Sequence, residues 1–131
     1  MKRVVWILVV MAAGAAAAFY RGKQRADVDA KIDGVQERLA DLCSKSAGFE
    51  KYQAFFESGA DAAHEHAINI AYTPAGRRTP PSFDAVKYAN AFCDSSIARA
   101  TRTKPGDHEL STFLRQMQID VESAAKSGAL D

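Results

Sequence analysis

The hydrophobic and polar positions divide the chain into one long uncharged stretch and a series of amphipathic segments. Residues 4–20 contain no charged side chain. From residue 26 onward, apolar side chains recur at intervals of three and four residues, with charged side chains between them. This spacing places the apolar side chains on one face of an α-helix. The pattern therefore predicts an all-α protein, with a transmembrane or signal helix at the N-terminus followed by a small four-helix bundle.

Four amphipathic segments predict the helices of the bundle. Their predicted bounds are residues 26–46, 49–72, 82–100 and 107–126, and we expect them to run alternately up and down. The predicted apolar face of the first helix consists of Val28, Ile32, Val35, Leu39 and Leu42, and that of the second consists of Phe49, Tyr52, Phe56, Ala60, Ala63, Ala67 and Ile70. The predicted face of the third helix consists of Phe83, Val86, Asn90, Cys93 and Ile97. The predicted face of the fourth consists of Leu110, Phe113, Leu114, Met117, Val121 and Ala124.

Capping residues and prolines predict where the helices are separated. Ser46 is expected to cap the second helix, Ser82 the third and Asp107 the fourth, because short polar side chains satisfy free N–H groups at helix starts. Residues 73–82 hold three of the four prolines and form the main loop. No alternating strand pattern is visible, and we expect the tail from Ser127 to fray.

The uncharged stretch has two interpretations. Its seventeen residues would form a helix of about 26 Å, slightly shorter than a hydrocarbon core of about 30 Å. Because basic residues flank it on both sides, we favour a membrane anchor comprising residues 1–25, attached to a domain of residues 26–131. The alternative is a signal peptide cleaved near Ala18, since Ala16 and Ala18 supply a small-x-small cleavage site.

The charge balance changes once the chain is divided at residue 25. The 131 residues carry 17 basic and 16 acidic side chains, a net charge of +1. Five of the basic residues lie in residues 1–25, which leaves 12 basic against 16 acidic side chains and a net charge of −4 in residues 26–131. This balance excludes the basic footprint of a nucleic-acid-binding protein. A short basic start, an apolar stretch and a long tail favour an extracytoplasmic domain.

Two cysteines provide a candidate cross-link. Cys43 and Cys93 are 50 residues apart, without the paired spacing of a zinc site. On an exported chain, two thiols most simply form one disulfide, which would contribute about 4 kcal/mol by closing this loop. The alternative is a pair of free core thiols. Both side chains are predicted to face inward, and we expect the disulfide.

One acidic and histidine-containing segment is a weak candidate for a metal site. Glu57, Asp61 and His64 share a helical face and could hold a divalent ion, although such clusters are more often a solvated surface. His66 is expected to be a partly buried structural histidine. There is no P-loop, GxGxxG, nucleophile elbow or haem-attachment motif. The sequence therefore predicts no bound metal, no cofactor and no enzymatic activity.

Basic side chains supply a candidate membrane-contact surface. In an up-and-down bundle the second helix brings the chain back to the membrane, which would place Arg77 and Arg78 beside Arg21, Lys23 and Arg25. We expect these five residues to contact lipid headgroups. An ordinary solvated loop is the alternative for the two loop arginines.

These observations predict a protein that is anchored in the membrane by a single span and faces the extracytoplasmic side. We expect a non-catalytic component of the cell envelope that acts through protein contacts, as an accessory, assembly or scaffold component. The alternative is a small helical binding protein secreted after cleavage near Ala18. A docking patch of aromatic side chains is conceivable, although burial in a wider core is favoured for Tyr52, Phe55, Phe56, Tyr88 and Phe92.

Overall fold

The structure, a computed structural model, describes residues 26–131; the predicted anchor or signal helix lies outside these residues. The prediction of a helical bundle is confirmed. Within residues 26–131, none of the helices combines the length and the apolar character needed to cross a membrane. The elements are α1 (Ala26–Ser44), α2 (Phe49–Ala71), β1 (Tyr72–Thr73), β2 (Ser82–Phe83), α3 (Ala85–Thr103) and α4 (His108–Lys126).

The turn between α1 and α2 depends on a glycine rather than on the predicted serine cap. Gly48 precedes α2 with φ of 83°, in the left-handed region that glycine adopts without steric cost, and no side chain caps the helix. The Ser46 hydroxyl instead donates a hydrogen bond back to the Leu42 carbonyl at 3.4 Å. The prediction that Ser46 caps α2 is therefore wrong.

Aspartates cap both of the later helices. The Asp84 carboxylate accepts hydrogen bonds from the backbone N–H groups of Val86 and Lys87, at 3.0 and 3.1 Å. Helix α3 consequently begins three residues later than predicted, and Ser82 is not its cap. The predicted cap of α4 is confirmed, since the Asp107 carboxylate accepts from the Leu110 N–H at 3.0 Å.

A minimal antiparallel ladder closes the main loop. Tyr72 is paired with Phe83, and Thr73 with Ser82, a pairing that no alternating pattern in the sequence indicates. The Ala71 carbonyl accepts a further bond from the N–H of Asp84 at 3.1 Å. Two-residue strands are too short to produce a visible alternation of polar and apolar positions. The ladder holds the two ends of the proline-rich loop together between α2 and α3.

Contacts at both ends show that α2 and α3 run antiparallel. The Arg99 guanidinium near the end of α3 donates to the Phe55 carbonyl near the start of α2, at 2.8 Å. At the opposite end, the ladder joins the end of α2 to the start of α3. Helix α4 returns along α3, where the Gln118 amide donates to the Asp94 carboxylate at 2.6 Å. The α2–α3 and α3–α4 pairs pack closely, whereas α1 approaches its neighbours less closely.

A row of aromatic side chains forms the centre of the core. Tyr88 and Phe92 are fully buried, although the predicted apolar face of α3 did not include them. Burial, rather than an aromatic docking patch, accounts for Phe55, Phe56, Tyr88 and Phe92; Tyr52 is half-buried. Successive ring centroids lie 5.4–6.1 Å apart along the row Phe49, Phe56, Phe92, Tyr88 and Phe83.

The C-terminal tail packs on the bundle instead of fraying. Leu130 is 2% exposed, and its carbonyl accepts a hydrogen bond from the Arg38 guanidinium at 3.2 Å. The turn that brings it back passes through Gly128, with φ of 84°, and the Ala129 N–H bonds to the Ala124 carbonyl at 2.9 Å. The predicted fraying from Ser127 is therefore wrong.

Candidate functional site

A buried polar cluster lies where three helices meet. It consists of Gln36 from α1, His64 from α2 and Tyr88 from α3, which are 2%, 7% and 0% exposed. Each projects from the buried face of its helix: Gln36 follows Val35, and His64 follows Ala63. We define these three residues as the buried polar cluster. Buried polar groups are costly unless they are hydrogen-bonded, so their partners decide what the cluster can do.

The three side chains satisfy one another. The Tyr88 hydroxyl oxygen lies 2.9 Å from Nδ1 of His64, and the side-chain amide nitrogen of Gln36 lies 2.5 Å from the ring nitrogens. A neutral imidazole has one donor and one acceptor. The neutral ring can therefore bond to Tyr88 and Gln36 at the same time, donating to one and accepting from the other. The cluster therefore links α1, α2 and α3 through polar contacts.

Burial sets the protonation state of the cluster. It lowers the pKa of His64 because the charged imidazolium loses its hydration, an effect that Asp61 opposes. Burial raises the pKa of the Tyr88 phenol, with further contributions from Cys43 and Cys93. Burial therefore favours a neutral histidine and a protonated phenol, the forms that can hydrogen-bond to each other.

The two cysteines are free thiols in the structure, so the predicted disulfide is wrong. Both Cys43 and Cys93 are buried as separate core side chains. An unbonded cysteine behaves as a small hydrophobic side chain, and the apolar interior accommodates both without a covalent bond. Burial raises the pKa of both thiols, that of Cys93 to about 12. Because the thiolate is the reactive form, neither is an activated nucleophile.

The three weak metal candidates are not brought together. Among residues 26–131, no group of three or more His, Cys, Asp or Glu side chains is placed to hold a metal ion. The His64 ring belongs to the buried polar cluster, Asp61 is exposed, and Glu57 accepts a hydrogen bond from Gln53 at 2.6 Å. The prediction for His66 is wrong, because this side chain is exposed and His64 is the buried histidine.

The basic candidates fall into two groups. Arg21, Lys23 and Arg25 lie outside the described residues. Arg77 and Arg78 are exposed in the loop that the ladder closes. This loop is at the end of the bundle where α1 begins, since α1 contacts β2 and Lys31 lines one groove together with residues of both strands.

A shallow and largely apolar groove lies at the opposite end of the bundle. It has a volume of about 670 Å³ and runs between the α1–α2 turn and the first half of α4. The rings of Tyr52 and Phe113 lie 4.9 Å apart within it. At its edge, the Lys51 ammonium contacts the Glu109 carboxylate at 2.5 Å, which raises the pKa of Lys51 and lowers that of Glu109. The periodicity did not predict this groove, because the groove requires the starts of α2 and α4 to meet, as Tyr52 and Phe113 do.

Comparison with known proteins adds no family to this picture. No protein-family model, no curated protein and no solved structure matches the chain.

Proposed function

We propose that the chain is a single-pass membrane protein of the cell envelope whose helical bundle lies outside the cytoplasm and acts through protein contacts, without catalysis. The observation that carries the proposal is the uncharged stretch of residues 4–20 with basic residues on both sides. A helix of this length spans most of a hydrocarbon core, and flanking lysine and arginine side chains reach the headgroups. The bundle begins at Ala26, directly after this segment.

The position of the loop arginines supports a membrane-facing end of the bundle. Arg77 and Arg78 are exposed at the end where α1 begins, which is the end nearest to an anchor in residues 1–25. Each basic side chain near an anionic lipid surface contributes up to about 1 kcal/mol to binding. The two arginines would therefore strengthen lipid binding by Arg21, Lys23 and Arg25, the three basic residues between the uncharged stretch and α1.

Fractionation of cells that express the full chain tests the anchor. We expect the protein in the membrane fraction, resistant to alkaline carbonate extraction, with an intact mass that includes residues 1–25. A soluble protein whose N-terminal residue is Phe19 would contradict the anchor. That result would favour the secreted binding protein, for which the alanines at positions 16–18 are the supporting observation.

Vesicle binding tests the membrane-facing end. A chain comprising residues 21–131, first checked for cooperative unfolding, is mixed with vesicles containing about 30% anionic lipid. Arg77→Glu with Arg78→Glu should lower the partition coefficient by up to about thirtyfold, since up to about 2 kcal/mol of attraction is lost, and repulsion of the new carboxylates adds to this effect. The control is Arg102→Glu with Lys104→Glu, the same charge change at the opposite end of the bundle. Equal effects of the two pairs would refute the proposed orientation.

An exchange of anchors tests whether the bundle makes the protein contacts. Cross-linking in intact cells, followed by mass spectrometry, identifies the proteins bound to the full chain. We expect the same partner when residues 1–25 are replaced by an unrelated membrane helix, and loss of that partner when residues 26–131 are replaced. Recovery of the chain alone would contradict a role in protein contacts.

A further inference from the structure

His64 differs from the other two histidines of the chain in its surroundings. His66 and His108 are exposed, whereas His64 is 7% exposed at the junction of three helices. Gln36, its neighbour across the α1 interface, is the one buried polar side chain that the structure gives to α1. The contact between α1 and the rest of the bundle therefore includes a titratable group.

The surroundings of His64 suit the neutral ring. From α1 it faces the uncharged amide of Gln36, and from α3 the phenol of Tyr88. Cys43 in α1 and Cys93 in α3 contribute to the raised pKa of Tyr88, and burial keeps both thiols protonated. The charged group that affects the pKa of His64 is Asp61, which is exposed and lies one turn earlier on α2. Asp61 raises this pKa by less than burial lowers it.

A second proton would disturb this arrangement. Both ring nitrogens of an imidazolium are donors, so the ring could no longer accept a hydrogen bond from either neighbour. The Gln36 amide would have to turn its carbonyl oxygen toward the ring. Even then, the imidazolium would remain as a positive charge in the interior. None of the groups that the structure places around the ring is a buried anion that could pair with it. An unpaired buried charge is costly.

We propose that His64 is an acid-sensitive latch between α1 and the other helices: uptake of a proton at this ring releases α1 from the bundle. Helix α1 is the element to open because none of its helix contacts is as extensive as those that α3 makes with α2 and with α4. When α1 leaves, His64 becomes hydrated and binds its proton with an ordinary pKa of about 6.5. The open form binds more protons, so its population rises as the pH falls below this value.

Histidine titration by NMR tests the latch without disturbing it. The full chain in detergent micelles gives three imidazole signals, which are assigned by the loss of one signal in His66→Gln and in His108→Gln. We expect a midpoint for His64 below the ordinary histidine pKa of about 6.5. A midpoint for His64 equal to or above that value would overturn the proposal.

Thiol accessibility measures the opening itself. Cys43 lies in α1 and Cys93 lies in α3, and both are buried, so a disulfide reagent active at acidic pH labels them only after opening. Between pH 7.5 and pH 5.5, relative to an unfolded peptide control, labelling should accelerate by up to about tenfold per pH unit, the limit for one proton. His66→Gln should retain this slope and His64→Gln should lose it. A pH-independent rate in the native chain, or an unchanged slope in His64→Gln, would refute the latch; should His64→Gln not fold, the native slope and the NMR midpoint decide.

Discussion

Substitution of Gly59 by alanine tests how the ends of α2 and α3 are held together. The Arg99 guanidinium lies over Gly59, and a Cβ atom placed there would lie 2.8 Å from Cζ of Arg99, so the guanidinium has to move. In its present position it donates to the Phe55 carbonyl at 2.8 Å and to the Ser58 hydroxyl, and its Cζ lies 4.2 Å from the centre of the Phe55 ring. All three contacts depend on the absence of a side chain at position 59.

The expected magnitude follows from two opposing effects. Loss of the Arg99 contacts costs about 2 kcal/mol, given two charge-assisted hydrogen bonds and one cation–π contact at a partly exposed site. Alanine gains about 1 kcal/mol over glycine in a helix interior. Gly59→Ala should therefore lower the free energy of unfolding by about 1 kcal/mol. In an Arg99→Met background, where no guanidinium is displaced, the same change should raise it by about 1 kcal/mol.

Urea unfolding followed by circular dichroism at 222 nm measures these four chains as a double-mutant cycle. The matched control is Gly34→Ala in α1, where the nearest atom to the new Cβ is Nη1 of the exposed Arg38 side chain, at 2.8 Å. Turning Arg38 aside gives up its one hydrogen bond to the Leu130 carbonyl, so we expect the helix-propensity gain of about 1 kcal/mol to be roughly offset and the substitution to be close to neutral. An equal effect of Gly59→Ala with and without the guanidinium would refute the reasoning.

Three further predictions concern the caps, the tail and the thiols. Asp84→Ala should cost about 1 kcal/mol in urea unfolding through loss of two capping bonds, whereas Ser82→Ala should change little; the reverse order would contradict the observed start of α3. Leu130→Ala should lower the free energy of unfolding by about 2–4 kcal/mol because it removes a buried side chain, and a neutral result would mean that the tail is not packed. In non-reducing mass spectrometry after alkylation in denaturant, Cys43 and Cys93 should both be modified, and at neutral pH the folded chain should react far more slowly; an unmodified, cross-linked chain would contradict the free thiols.

The sequence predicts elements better than it predicts the faces they bury. The apolar stripe and the cap of α4 are correct because Leu110, Leu114 and Val121 are large, recur regularly and are separated by charged residues. The buried face of α3 was predicted about one residue out of position, on Asn90 and Ile97. That helix buries alanines together with Tyr88, and small side chains and amphipathic rings give a weak periodic signal.

The buried polar cluster could not be predicted, because its members come from three different helices. Gln36 and His64 are 28 residues apart, and nothing in either segment indicates that they meet. Periodicity favoured His66, because it lies beside the predicted stripe of α2. Which of two neighbouring histidines is buried depends on the rotation of α2 about its axis, and the packing of α1 and α3 decides that rotation.

The two-residue ladder also makes the proline-rich loop a natural insertion site. The ends of the loop, at Thr73 and Ser82, are already held together, so lengthening the connection adds little loop-closure entropy, about 0.6 kcal/mol for each doubling. The residues between them are almost all exposed. A short protease-cleavable epitope placed after Gly76 should therefore leave the helices intact while reporting which side of a membrane the bundle occupies.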